Sequence, residues 1–238
     1  MAFPQKLYII LALLLTYHIT SAQSMDKGVI KMELVDVKVS KPEMQQMVGA
    51  MKGSTQEISF DKSKQKVVMD MMGGMMKIQM YQDFDDQTMV NYMDMMGQKI
   101  KTSISSEELE KQKKASEEMM GDSKVVYDKS DTKEILGYTC HKASLETSAQ
   151  GNKLSMTFYV TDDIQVPQAF IQNVNHINLK GTPLQWELDA GQMQMTYEAK
   201  EISEKVADDF FAKPSGDYKE MSMEQLQQMG VGGGQMGF

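Results

Sequence analysis

The chain of 238 residues holds 25 methionines but only one cysteine and one tryptophan, and its formal net charge is −8. All 25 basic side chains are lysine, so the chain lacks the guanidinium fork that grips phosphate, and its acidic balance argues against a nucleic-acid partner. Size and apolar content fit one globular domain rather than a disordered chain, and a lone cysteine excludes an intramolecular disulfide.

Lys6, the apolar run Leu7 to Leu15 and the small residues Ser21 and Ala22 have the order of a secretory signal peptide, so residues 1–22 are expected to be removed. No cysteine follows the run, which excludes acylation at a new N-terminal cysteine. No later stretch is apolar for long enough to span a bilayer, so no transmembrane anchor is expected after signal removal. The expected location is periplasmic or secreted.

Residues 26–39 alternate as a first strand with one irregularity. Ser40 and Glu43 then have capping-box spacing, Pro42 lies inside the first turn and Gly53 past the end, and Met44, Met47, Val48 and Met51 form one helical stripe. Strands follow at 55–60 and 65–72. The segment Met69-Asp70-Met71-Met72-Gly73 recurs as Met93-Asp94-Met95-Met96-Gly97, which predicts two hairpins. A turn at Gly73-Gly74 sets Met72 opposite Met75 and Asp70 opposite Lys77. It gathers Val67, Met69, Met71, Met76, Ile78 and Met80 on one face, with Val68, Asp70, Lys77 and Gln79 on the other. A second turn at Gly97-Gln98 sets Asp94 opposite Lys101, with Met93, Met95, Ile100 and Thr102 sharing a face.

Ser105 and Glu108 form another capping-box pair, opening a highly charged helix to Met120. Further strands are predicted at 124–127, 138–146 and 154–161, a short helix at 167–175, and a last hairpin of 184–188 with 193–202 across Asp189-Ala190-Gly191. Residues 221–238 read as a Met/Gly-rich flexible tail, leaving 23–220 as the domain. The expected fold is mainly β: one curved antiparallel sheet with two or three short helices.

The methionines crowd residues 44–120 and thin out over 121–220, which favours a local role over a general exchange of Met for Leu. The candidate apolar groove is Met44, Met47, Met51, Met69, Met71, Met76, Ile78, Met80, Met93 and Met95, whose flexible thioether side chains re-pack around lipid or acyl chains. An alternative is Cu(I) binding, since thioethers are soft ligands and Met44/Met47, Met69/Met71 and Met93/Met95 have suitable spacings. A third is ordinary packing in a structural envelope protein with no small ligand. Catalysis is not expected. His141 and His176 lie in no metal or nucleophile spacing, and no phosphate loop or nucleophile elbow occurs. The pairs Asp85-Asp86, Asp162-Asp163 and Asp208-Asp209 sit at predicted turns. Cys140 reads as a small buried hydrophobe. No cofactor and no committed metal site follow, and the expected partner is a lipid or lipidated protein.

Four segments carry a resemblance: Ile135-Leu136-Gly137-Tyr138-Thr139-Cys140-His141-Lys142-Ala143, Phe158-Tyr159-Val160-Thr161, Gly181-Thr182-Pro183-Leu184-Gln185-Trp186-Glu187, and Phe210-Phe211-Ala212-Lys213-Pro214 with Tyr218. Over residues 25–220 they resemble a family of secreted bacterial one-domain proteins of unknown function, which is itself similar to periplasmic lipoprotein carriers of the LolA and LolB type. That resemblance implies a half-barrel sheet with helices closing its concave side, and by analogy a hydrophobic cargo. One departure is chemical: those carriers use an arginine to help hold the lid, and this chain has none.

Overall fold

The structure, a computed structural model, describes residues 23–120, 124–149, 152–167 and 179–228. The predicted signal peptide, the predicted helix after Pro167 and residues 229–238 lie outside the described residues.

The first half of the chain comprises β1 (Gln23–Ser24), β2 (Gly28–Val39), a 3-10 turn (Pro42–Met44) running into α1 (Gln45–Met51), β3 (Thr55–Phe60), β4 (Lys64–Met71), β5 (Met76–Asp83), β6 (Thr88–Met95), β7 (Gln98–Ile104) and α2 (Ser106–Met120). The second half comprises β8 (Val126–Ile135), β9 (Tyr138–Ala149), β10 (Asn152–Thr161), β11 (Ile164–Gln165), β12 (Thr182–Asp189), β13 (Met193–Ser203), β14 (Lys219–Glu220) and α3 (Met223–Gln228). Twelve strands make one open, curved sheet in the order β14-β7-β6-β5-β4-β3-β2-β13-β12-β10-β9-β8. The expected mainly β architecture is therefore observed. All pairs in it are antiparallel except β14 with β7.

Two meanders, β2 to β7 and β8 to β13, join where β2 pairs with β13. The crossover from β7 to β8 is α2, which touches both β6 and β9, so the two margins of the sheet must curl towards one another. Its predicted capping box forms: Ser105 N–H donates to Glu108 Oε2 at 2.8 Å, and Glu108 N–H donates to Ser105 Oγ at 3.3 Å. The Ser105 N–H and the Ser105 hydroxyl, which also donates to Glu108 Oε2 at 2.8 Å, hold the Glu108 carboxyl below its ordinary pKa. One contiguous core lies on the inner face and unites Ile30, Phe60 and Met69 of the first meander with Phe158, Leu184 and Tyr197 of the second. Trp186 stacks on Tyr197 at 4.5 Å and donates from Nε1 to Gln56 Oε1 at 3.1 Å.

Five expectations need correction. The second Met-Gly hairpin turns one residue earlier than expected. Met96 (φ 52°) and Gly97 (φ 84°) both take the left-handed conformation that a two-residue hairpin turn demands, and the Asp94 carboxylate accepts the Gly97 N–H at 3.0 Å. Asp94 consequently faces Lys99, not Lys101. The displacement is by two residues, so Met93, Met95, Ile100 and Thr102 still share a face. In the first hairpin Asp70 does face Lys77, but residues 72–75 form a four-residue loop and the ladder closes at Met71 opposite Met76.

The Ser40/Glu43 box does not form. Lys41 takes the cap position of the 3-10 turn, and Ser40 bonds instead to the Gln192 carbonyl in the β12–β13 hairpin. Strand β8 runs on to Ile135 because a bulge between Asp128 and Thr132 breaks its alternation; there Asp128 Oδ1 accepts the N–H groups of Ser130 and Asp131.

Finally, the ordered chain continues past 220: Met221 and Leu226 are buried and α3 is folded against the sheet. Residues 204–218 first cross the outer face, where Phe211 meets Tyr81 edge-on at 5.5 Å and Tyr218 meets Tyr92 edge-on at 5.0 Å. The buried Tyr81 hydroxyl donates to the Ala212 carbonyl at 2.9 Å, and burial lifts its pKa to about 12. Then β14 pairs with β7, Met221 N–H donates to Lys101 O at 2.9 Å, and α3 turns onto the inner face.

Tyr81 pins this segment, so Tyr81→Phe should lower stability by about 1 kcal/mol and Tyr81→Ala by about 3–5 kcal/mol in urea unfolding. A neutral Tyr81→Ala would show that the crossing of the outer face contributes nothing.

Candidate functional site: a methionine wall

Strands β4 to β7 lay out the inner face in rows. The upper row is Met71, Met76, Met95 and Gln98, the second is Met69, Ile78, Met93 and Ile100, and the third is Val67, Met80, Asn91 and Thr102. Alternation puts each row on one face, and the repeated segment supplies β4 and β6, the two strands flanking β5.

Of the expected groove residues, Met51, Met69, Met71, Met76, Ile78, Met80, Met93 and Met95 come together, but not as an open trough, and Met44, on the 3-10 turn before α1, joins neither apolar cluster. Met51, Met69, Met71 and Met93 are buried, whereas Met44, Met76, Ile78, Met80 and Met95 are half-buried. The side chain of Met47 lies outside the described residues. Helix α1 packs on the Met72–Gly74 turn and brings Met51 into the core cluster. On the other side, Met221 and Leu226 of the C-terminal segment pack with Met93 and Ile100, and Met223 packs against that cluster. The half-buried strip is therefore narrow: Met76, Ile78 and Met80 along β5, with Met95 beside it.

The wall also carries two polar atoms that composition did not reveal. Asn91 Oδ1 and Thr102 Oγ1 are buried neighbours across β6 and β7, and neither has a hydrogen-bond partner. Buried acceptors of this kind normally meet a donor. Asn91 was legible as a polar break in the run Met89, Asn91, Met93, Met95. The part played by Met221, Met223 and Leu226 was hidden in what reads as tail.

Cys140 is fully buried, and burial raises its thiol to about 11, so it is no nucleophile at neutral pH. His141 lies 6.0 Å from the Tyr127 ring, and His176 falls outside the described residues. Among the described residues no cluster of three or more His, Cys, Asp or Glu side chains suits a metal ion, and no helix is long and apolar enough to cross a membrane. On the outer face a cleft of about 400 Å³ lies beneath the returning segment, lined by Lys31, Glu57, Lys66, Glu201, Lys205 and Asp209. Lys31 and Glu201 are paired there at 2.9 Å.

The chain matches no family model and no curated protein. Among solved structures, it is similar to PNGF-II at 15% identity and a TM-score of 0.48, over 86% of this chain and 33% of that one. It is also similar to LprF from Mycobacterium bovis, at 12% identity and a TM-score of 0.35, over 80% of this chain and 90% of that one. This chain thus spans about a third of the length of PNGF-II. Neither likeness lends it a residue role or a ligand.

Two outcomes follow from burial. Thr102→Val removes an unpartnered hydroxyl from the interior and should leave stability unchanged or raise it by about 1 kcal/mol in urea unfolding; a marked loss would mean the hydroxyl is bonded. Cys140 should resist a thiol reagent in the folded protein and react once the chain is unfolded.

Proposed function

We propose that the protein is an exported, non-enzymatic binder of lipid or acyl chains in the cell envelope, with its ligand lying along β5. One observation carries this reading. The strip Met76, Ile78, Met80 and Met95 is apolar and half-buried, while the same face is sealed on either side by Met69 and Met71 and by Met93 with Leu226. An acyl chain covering such a strip gains about 0.8 kcal/mol per buried methylene. Unbranched thioether side chains adapt to it with little rearrangement.

The test is titration of the purified protein with a fluorescent fatty acid. Met80→Glu and Ile78→Glu should each weaken binding by roughly tenfold or more, because a carboxylate on the strip must be desolvated by the chain. Lys77→Glu, on the outer face, should leave it unchanged. Replacing Met69, Met71, Met76 and Met80 together by leucine should largely preserve binding, since apolar area and volume are retained. Wild-type protein that fails to bind at micromolar concentration would overturn the proposal.

A further inference from the structure

The upper row of the wall differs from the rows below it. Met71 on β4 is directly opposite Met76 on β5, which is directly opposite Met95 on β6. Three thioethers therefore stand side by side on adjacent strands of one face, with Cβ atoms about 4.5–5.5 Å apart across each pair. In the second row the central residue is Ile78, and in the third Met80 stands between Val67 and Asn91, so neither row offers three sulfurs. Met71 is buried while Met76 and Met95 are half-buried, so the row is shielded on one side and reachable from the other.

Met71 and Met95 are the third residues of the two copies of the repeated segment, and that segment places each at the end of its strand, just before a left-handed Met-Gly turn. Met72 from the first turn and Met51 from α1 belong to the same cluster as Met71 and Met76.

We propose that Met71, Met76 and Met95 form a thioether site for a soft monovalent metal ion, Cu(I) or its analogue Ag(I). Sulfur donors without charge select such ions over the harder divalent metals. Three converging donors complete a trigonal set, and each side chain has the rotatable bonds to turn its sulfur towards a common centre. A thioether has no proton to lose, so this affinity does not depend on pH, unlike that of a thiolate or imidazole site. Cys140, buried and held protonated, is not a rival donor. The site is independent of the acyl-chain reading, because leucine at these positions preserves apolar surface and deletes every donor.

Cu(I) is supplied under reducing conditions against a chromophoric chelator, with folding checked by circular dichroism. Wild-type protein is expected to take one ion, with only sulfur neighbours in X-ray absorption and an affinity that is flat between about pH 5 and pH 7. Each single change, Met71→Leu, Met76→Leu or Met95→Leu, should weaken binding by roughly tenfold or more, no less than loss of an outer-shell partner. The triple variant should not bind, while Met69→Leu with Met93→Leu should bind as wild type. Ile78→Met completes a second row of three and should add a second ion. No binding by wild type, binding that survives the triple change, or affinity that falls with acid would each overturn the site, and none of these bears on fatty-acid titration.

Discussion

The pairing of β4, β5 and β6 is the constraint from which the rest of the inner face follows. Side chains on a strand alternate, so a slip of one residue would send Met69, Met71, Met76 and Met80 to the outer face, beside Tyr81 and the crossing segment. Two Met-Gly turns prevent this, with Met72 and Met96 in the left-handed region at a cost of about 1–2 kcal/mol each. That strain is accepted where the chain makes its methionine rows, and the Asp94 carboxylate offsets part of it by accepting the Gly97 N–H.

The faces were legible in the sequence because parity is robust: the turn of the second hairpin lies one residue before the expected place, which moves each cross-strand partner by two, and its side chains still land on their proper side. The partner of Asp94 was not legible. The turn was expected at Gly97-Gln98, whereas Met96 and Gly97 occupy its two positive-φ positions. The depth of the candidate site was equally hidden. Composition identifies an apolar face, but whether Met93 lines a groove or lies in a core depends on Met221 and Leu226, more than a hundred residues later. Those residues sit in a stretch too short and too polar to signal a helix by periodicity.

The C-terminal segment divides the labour of the two faces. On the outer side its aromatic residues close over Tyr81 and Tyr92, and on the inner side Leu226 closes over Ile100. Both closures lie towards the β7 margin, and α1 lies over the Met72–Gly74 turn. What is left between them is the β5 strip, with a sulfur-rich row at the turn end and two unpartnered acceptors in the third row. The same face thus offers a hydrophobic surface and a set of soft donors, two chemistries that methionine supplies and leucine does not.

The central claim is that this strip is a ligand surface and not an unfinished piece of core. Its most direct test is the methyl spectrum of protein carrying carbon-13-labelled methionine methyl groups, recorded before and after addition of a fatty acid. The account predicts that the resonances of Met76, Met80 and Met95 move together while those of Met32, Met156 and Met195, buried elsewhere in the sheet, stay in place. Resonances that do not move, or that move equally across the whole sheet, would contradict it.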